Sequence, residues 1–125
     1  MSVSQPAEWA IETFEDAQGR RPVSEWIRGL DAKDRARIRR ALDLLQAYGA
    51  QLRMPYARHL RGKLFELRVA SGRRAYRVLY FAATGRRFIL LHGFVKATAK
   101  TPERELEIAE RRMAEYLEGL EENER

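Results

Sequence analysis

Lys63-Leu-Phe-Glu-Leu-Arg-Val-Ala-Ser-Gly-Arg-Arg-Ala-Tyr-Arg-Val-Leu-Tyr80, continued by Phe88-Ile-Leu-Leu-His-Gly-Phe-Val-Lys96, decides the fold. Apolar and β-branched residues dominate three successive runs, and Ser71-Gly72 and Thr84-Gly85 are turn signals between them. The stretch therefore reads as three consecutive antiparallel strands. Charge is distributed unevenly over it. From Arg53 to Lys100 there are twelve Lys or Arg side chains and a single acid, Glu66.

The flanking sequence supplies helices. Pro22 suits the first position of a helix, where its missing N–H costs nothing, and Val23, Trp26, Ile27 and Leu30 follow as an apolar stripe. Asp31 caps a second helix carrying Ile38, Ala41, Leu42, Leu45 and Tyr48 on one face, with Gly49 as its stop. Its other face, with Lys33, Arg35, Arg37, Arg39 and Arg40, is solvated or tracks a polyanion. Thr101-Pro102-Glu103 opens a last helix with Leu106, Ala109, Met113, Tyr116, Leu117 and Leu120 on its buried side and a frayed end over 121–125. Glu8 to Phe14 alternates as a first strand, with Trp9, Ile11 and Thr13 on one side. The segment from Gln51 to Arg61, broken by Pro55, reads as a loop. The expected order is β-α-α-β-β-β-α: an α+β domain with a mostly antiparallel four-stranded sheet, two N-terminal helices on one face and a C-terminal helix.

Composition fits one soluble domain spanning residues 1–125, with 45% hydrophobic and 34% charged residues. The absence of cysteine excludes disulfides and thiolate metal sites. Nothing resembles a signal peptide or a membrane span, so a cytoplasmic location without membrane association is expected. The net charge of +6 divides into +11 over the first 102 residues and −5 from Glu103 onward. A basic body of this kind suits a polyanionic partner such as RNA or DNA.

Alternation places the polar strand residues relative to one another. A two-residue loop at Ser71-Gly72 sets Glu66 opposite Arg77; a four-residue loop from Ser71 to Arg74 sets Arg68 opposite Arg77. A turn centred on Thr84-Gly85 pairs Phe81 with Phe88 and Arg77 with His92. Glu66, Arg68, Arg77, His92 and Lys96 then share one face. Phe65, Leu67, Val69, Tyr76, Val78, Ile89, Leu91 and Val95 face the first two helices. One acid does not neutralise several cations on a common face, which makes a phosphate the fitting counter-anion. Two histidines without cysteine do not make a zinc centre, and neither a Gly-rich phosphate loop nor a nucleophile elbow is present.

Leu60-Arg-Gly-Lys-Leu-Phe-Glu-Leu-Arg68, Tyr76-Arg-Val-Leu-Tyr80, Leu90-Leu-His-Gly-Phe-Val-Lys96 and Thr101-Pro102 together resemble the RelE/HigB-type toxin superfamily, in particular its phage-derived toxin-like branch. The resemblance runs from Trp9 through the last helix. It implies the toxin of a type II toxin–antitoxin system: a ribosome-dependent mRNA endoribonuclease, held in check by a cognate antitoxin that often carries a helix-turn-helix domain. In such enzymes the ribose 2′-OH attacks the adjacent phosphate, and no cofactor or metal is needed. By this resemblance Arg77 contacts the scissile phosphate, Lys96 is the basic residue closing the last strand, and His92 lies near positions used as acid or base, whereas several members carry lysines where Glu66 stands. The chemistry of cleavage itself lets Arg68 or Lys96 add positive charge beside Arg77, makes His92 the natural proton-transfer group, and lets Glu66 act as base or, preferably, orient Arg68 or Arg77. Lys63, Arg73, Arg74, Tyr80 and Lys100 are the accompanying RNA-contact candidates. The chain departs from some members in entering a long Glu-rich helix where they carry a C-terminal catalytic Tyr or His. The related ParE branch shares the fold but inhibits gyrase, so the alternative is a non-enzymatic module that binds gyrase or nucleic acid.

Overall fold

A computed structural model describes residues 9–123; Glu8 of the expected first strand and the last two residues of the expected frayed end lie outside them. The elements are β1 (Ala10–Thr13), α1 (Pro22–Arg28), α2 (Ala32–Tyr48), β2 (Ala57–Arg61), β3 (Leu64–Ser71), β4 (Arg74–Ala83), β5 (Arg87–Val95) and α3 (Glu103–Asn123), with a single 3₁₀ turn over Gly49–Gln51. The α+β class stands. The sheet has five strands, in the order β1-β5-β4-β3-β2, with β1 parallel to β5 and every other pairing antiparallel.

The extra strand is β2, in the segment expected to be a loop. It is an edge strand bearing Arg58, His59 and Arg61, and such charged edges discourage pairing with other chains while erasing the apolar alternation by which a strand is read. The helical end differs too: α3 stays helical through Asn123 rather than fraying from Glu121.

Register follows the turns. Arg68 stands opposite Arg77, and Ser71 pairs with Arg74 across a two-residue Gly72-Arg73 turn. Gly72 takes φ +62°, the left-handed value that such a hairpin turn demands at its first position. Between β4 and β5 the loop has three residues, Thr84 to Arg86, so Phe81 pairs with Ile89 rather than Phe88. A bulge at Leu91 then shifts the ladder by one residue. Leu79 faces His92, and Phe94, not His92, stands opposite Arg77. The bulge returns His92 to the face that the shorter loop had implied.

Both faces of the sheet are covered, differently. Val23, Ile38, Ala41 and Leu45 of α1 and α2 pack on Leu67, Val69, Tyr76, Val78, Tyr80, Phe88 and Leu90. Leu106 and Ala109 of α3 pack on the other side, over Phe14, Leu64, Leu79, Phe81, Ile89, Leu91 and Phe94. Ile89 and Leu91 thus lie beneath α3, not α1 and α2, because the longer loop moves them across. Val95 is half-exposed rather than core. Gly93 lets α1 close on β5: a Cβ there would sit 2.3 Å from the Trp26 ring.

A buried carboxylate fastens α2 to the sheet. Asp31 caps the helix by accepting from the Asp34 N–H at 2.9 Å. The Asp34 carboxylate accepts hydrogen bonds from Ser71 Oγ and Tyr76 Oη, and Arg74 Nη1 lies 3.3 Å away. These bonds, that of Ser71 foremost, hold the Asp34 pKa below its ordinary value.

Candidate functional site

Alternate residues of β2, β3, β4 and β5 form cross-strand rows on the α3 side of the sheet. One row runs Arg58–Glu66–Leu79–His92, and the next brings Arg68, Arg77 and Phe94 together. Tyr56 extends that second row, because its carbonyl accepts from the Arg68 N–H at 2.8 Å. Beyond it Ala70 pairs with Ala75, and the Lys96 N–H donates to the Ala75 carbonyl at 2.7 Å. Alternation then puts Lys96 on the same face.

Glu66 is the hub. Its fully buried carboxylate accepts from Arg58 Nε at 3.1 Å and lies 3.0 Å from Arg58 Nη2. Arg68 Nη1 donates to it at 3.3 Å and Thr101 Oγ1 at 3.2 Å. Arg77 Nε comes only within 3.6 Å of Glu66 Oε1, outside hydrogen-bonding distance, and is buried without a partner; Arg77 Nη1 donates to its own neighbour's carbonyl, Tyr76 O, at 2.9 Å. Burial above all, then the Arg68 charge, pushes the Arg77 guanidinium below its ordinary pKa. The Lys96 ammonium is lowered as well, by burial first and then by Arg77, with Glu66 opposing. Arg58, Arg68, Arg77 and Lys96 thus gather around one carboxylate, an excess of three positive charges.

The expected residues separate into two groups. Glu66, Arg68, Arg77 and Lys96 come together, and Arg58 and Thr101 join them. Arg58 lies on β2, whose sequence reads as a loop. Thr101 caps α3 by its sequence, and its hydroxyl also ties the start of that helix to Glu66. His92 stands apart. It is covered by α3, where its Nε2 lies 3.2 Å from Glu105 Oε1 and Arg112 Nη1 donates toward its Nδ1 at 3.3 Å. Burial lowers the imidazole pKa despite Glu105. Both ring nitrogens are engaged, which makes the residue a fastening for α3.

The RNA-contact candidates scatter. Tyr80 is 3% exposed, stacks on Phe65 in the α1/α2 core, and has its hydroxyl pKa raised to about 12 by burial, so it is a core residue rather than a surface contact. Lys63 is exposed in the β2–β3 turn, five residues and roughly 17 Å from Arg68 at strand spacing. Arg73 is exposed at the β3–β4 tip, and Arg74 is engaged by Asp34. Lys100 lines a depression of about 390 Å³ with Arg58, Thr101 and Glu103.

α3 is latched beside the cluster. Arg61 is bidentate to Glu103 at 3.0 and 2.7 Å and to Glu110 at 3.2 and 2.6 Å. A depression of about 350 Å³ opens on the other side of the cluster, lined by Pro55, Tyr56, Arg68, Ala70, Ala75 and Arg77. A larger one of about 610 Å³ lies at the β1 edge, but the pairs Arg87–Glu12 and Arg21–Glu15 already match charges there. Among the described residues no group of His, Cys, Asp and Glu is arranged to hold a metal ion, and no helix is long and apolar enough to cross a membrane.

A family model described as phage-derived protein Gp49-like (DUF891) matches residues 25–114, well over half of the chain and including every member of the cluster. No curated protein matches.

Proposed function

The chain belongs to the Gp49-like family of phage-derived proteins, a family associated with toxin–antitoxin toxins, and on that premise we propose that it is an endoribonuclease toxin of a type II module. It cuts translated mRNA on the ribosome and is neutralised by a cognate antitoxin. The observation that carries this reading is the excess of cations around Glu66, with Arg77 buried and imperfectly paired at the edge of an open depression. A cation in such surroundings is a standing site for an anion, and a phosphodiester supplies one.

The chemistry follows from the groups present. The 2′-oxygen forms a bond to phosphorus, the bond to the 5′-oxygen breaks, and the products are a 2′,3′-cyclic phosphate and a 5′-hydroxyl. Charge accumulates on the non-bridging oxygens in the pentavalent state, where preorganised Arg77, Arg68 and Arg58 stabilise it. The 2′-OH must lose a proton and the 5′-oxygen must gain one. Lys96 is the fitting group, because it shares the face of Arg68 and Arg77, and burial together with the Arg77 charge holds its ammonium below its ordinary pKa, which eases proton release. Glu66 orients the arginines. Proton transfer thus moves from His92, expected from the sequence, to Lys96.

Primer extension on an mRNA translated in a reconstituted system tests the reading. New 5′ ends within codons, absent without ribosomes and absent with Arg77→Met, are the expected result. Growth arrest without new ends would replace the enzyme by a non-enzymatic module that binds gyrase or nucleic acid.

A further inference from the structure

Among the described residues, the Ala70–Ala75 pair is the one place on the open part of the sheet where two facing side chains are both alanine. Pro55 and Tyr56 wall this notch on the β2 side, Lys96 stands on the β5 side, and Arg68 and Arg77 close one end. Two strands, β3 and β4, lie between its walls, which are three strand spacings or about 14 Å apart at roughly 4.8 Å each. That width admits one nucleotide. Tyr56 is 49% exposed although large and aromatic, and its backbone is pinned beside Arg68 by the bond from the Arg68 N–H. An exposed ring held a fixed distance from phosphate-binding cations is the arrangement that binds single-stranded nucleic acid through base stacking.

We infer that the notch is a nucleobase subsite, in which the base adjoining the bound phosphate stacks on Tyr56 over Ala70 and Ala75. This rests on the RNA-cleaving reading and deepens it, since the subsite sets which bases flank a cut. Tyr56 is then a specificity-determining residue, and the small size of Ala70 and Ala75 is what leaves room for the base. Arg77 and Arg68 grip the phosphate without regard to sequence, so base selection falls to the notch.

The test is cut frequency at every dinucleotide context of one translated mRNA, read by primer extension in a reconstituted translation system. Tyr56→Ala should lower cutting about 10- to 100-fold, as loss of one base–aromatic stack does, and flatten the spread among contexts. Tyr56→Phe keeps the ring and should retain both rate and spread. Ala70→Leu fills the notch and should suppress purine contexts more than pyrimidine contexts. Wild-type rate and spread in both Tyr56→Ala and Ala70→Leu, while Arg77→Met is inactive, overturns the subsite and leaves RNA cleavage standing. Equal losses in Tyr56→Ala and Tyr56→Phe overturn stacking in favour of the hydroxyl. No cutting by the wild-type protein removes the RNA-cleaving reading and this inference with it.

Discussion

Replacing Arg77 by methionine separates structural from functional roles of the cation cluster. The substitution keeps the aliphatic length of the side chain and removes its charge. Glu66 is not orphaned by it: the contacts from Arg58 at 3.1 and 3.0 Å, Arg68 at 3.3 Å and Thr101 at 3.2 Å all persist. Arg77 contributes no hydrogen bond to that carboxylate, and its Nε is buried without a partner. Repulsion from Arg68, Arg58 and Lys96 is relieved at the same time. Removing a poorly paired buried charge in favour of an apolar side chain is commonly neutral or stabilising. Thermal and urea melts should therefore place Arg77→Met within about 1 kcal/mol of wild type. Cleavage should fall by about 10²–10³-fold, the usual loss when one preorganised donor to a developing oxyanion is deleted. The paired assays are a denaturation curve and a time course of mRNA cutting on ribosomes. A variant destabilised by about 3 kcal/mol would show that Arg77 is a structural ion-pair member, as expected when a needed buried partner is lost. A folded variant that cuts normally would show that Arg77 does not touch the phosphate.

His92→Gln should cost stability, about 1–2 kcal/mol for its two side-chain bonds, while slowing cleavage by less than tenfold. Because burial lowers the folded His92 pKa below 6.5, the unfolded chain binds more protons, and stability should fall as pH drops through 6.5; melts at pH 7.5 and 5.5 should show that limb flattened in His92→Gln. Asp34→Asn weakens the acceptor for Ser71 and Tyr76 and should lower the melting temperature at pH 7. Because the folded Asp34 pKa lies below its unfolded value of 3.8, the wild-type advantage is full above 3.8 and fades only as pH falls below it, so the two curves should converge on the acid side of 3.8. Gly93→Ala drives a methyl into Trp26 and should destabilise by about 1–3 kcal/mol, measured by urea unfolding. On the proposed toxin reading, with the −5 charge of α3 facing a basic patch of the antitoxin, Glu118→Lys on its exposed side should weaken antitoxin binding with no change in melting temperature. Unchanged affinity across salt concentrations would refute that contact. Reversing Glu110 should first lower the melting temperature by undoing its bond to Arg61.

Much of the architecture is legible because it obeys single periodicities. The Asp31 cap, the Ile38–Leu45 stripe and the Thr101-Pro102-Glu103 start each mark a helix locally. β3 and β4 alternate cleanly, so Glu66, Arg68 and Arg77 fall on one face in either register considered. What escapes is set by longer-range choices. Ala57-Arg-His-Leu-Arg61 carries too little apolar pattern to read as a strand, and Arg58 is lost with it. One additional loop residue at Arg86 and one bulged residue at Leu91 leave no compositional mark, yet they send Ile89 and Leu91 beneath α3. The stripe of α3 is plain in the sequence, but which sheet face receives it is not. That choice turns His92 from a groove residue into a largely covered anchor. Tyr80 followed the same logic from the other side: strand alternation alone puts it opposite Arg77, and only the packing of α1 and α2 makes that side core.

The tip of a β-hairpin is ordinarily the first part of a sheet to fray. In this chain the β3–β4 tip is bolted to α2, since Ser71 and Arg74 pair across the Gly72-Arg73 turn and both reach Asp34. The backbone amides of Ser71 and Arg74 should then exchange hydrogen with solvent on the timescale of global opening, not of local breathing. An edge that does not breathe keeps its shape before anything arrives. The entropy of ordering that edge is spent during folding, once, and is not charged again to each encounter.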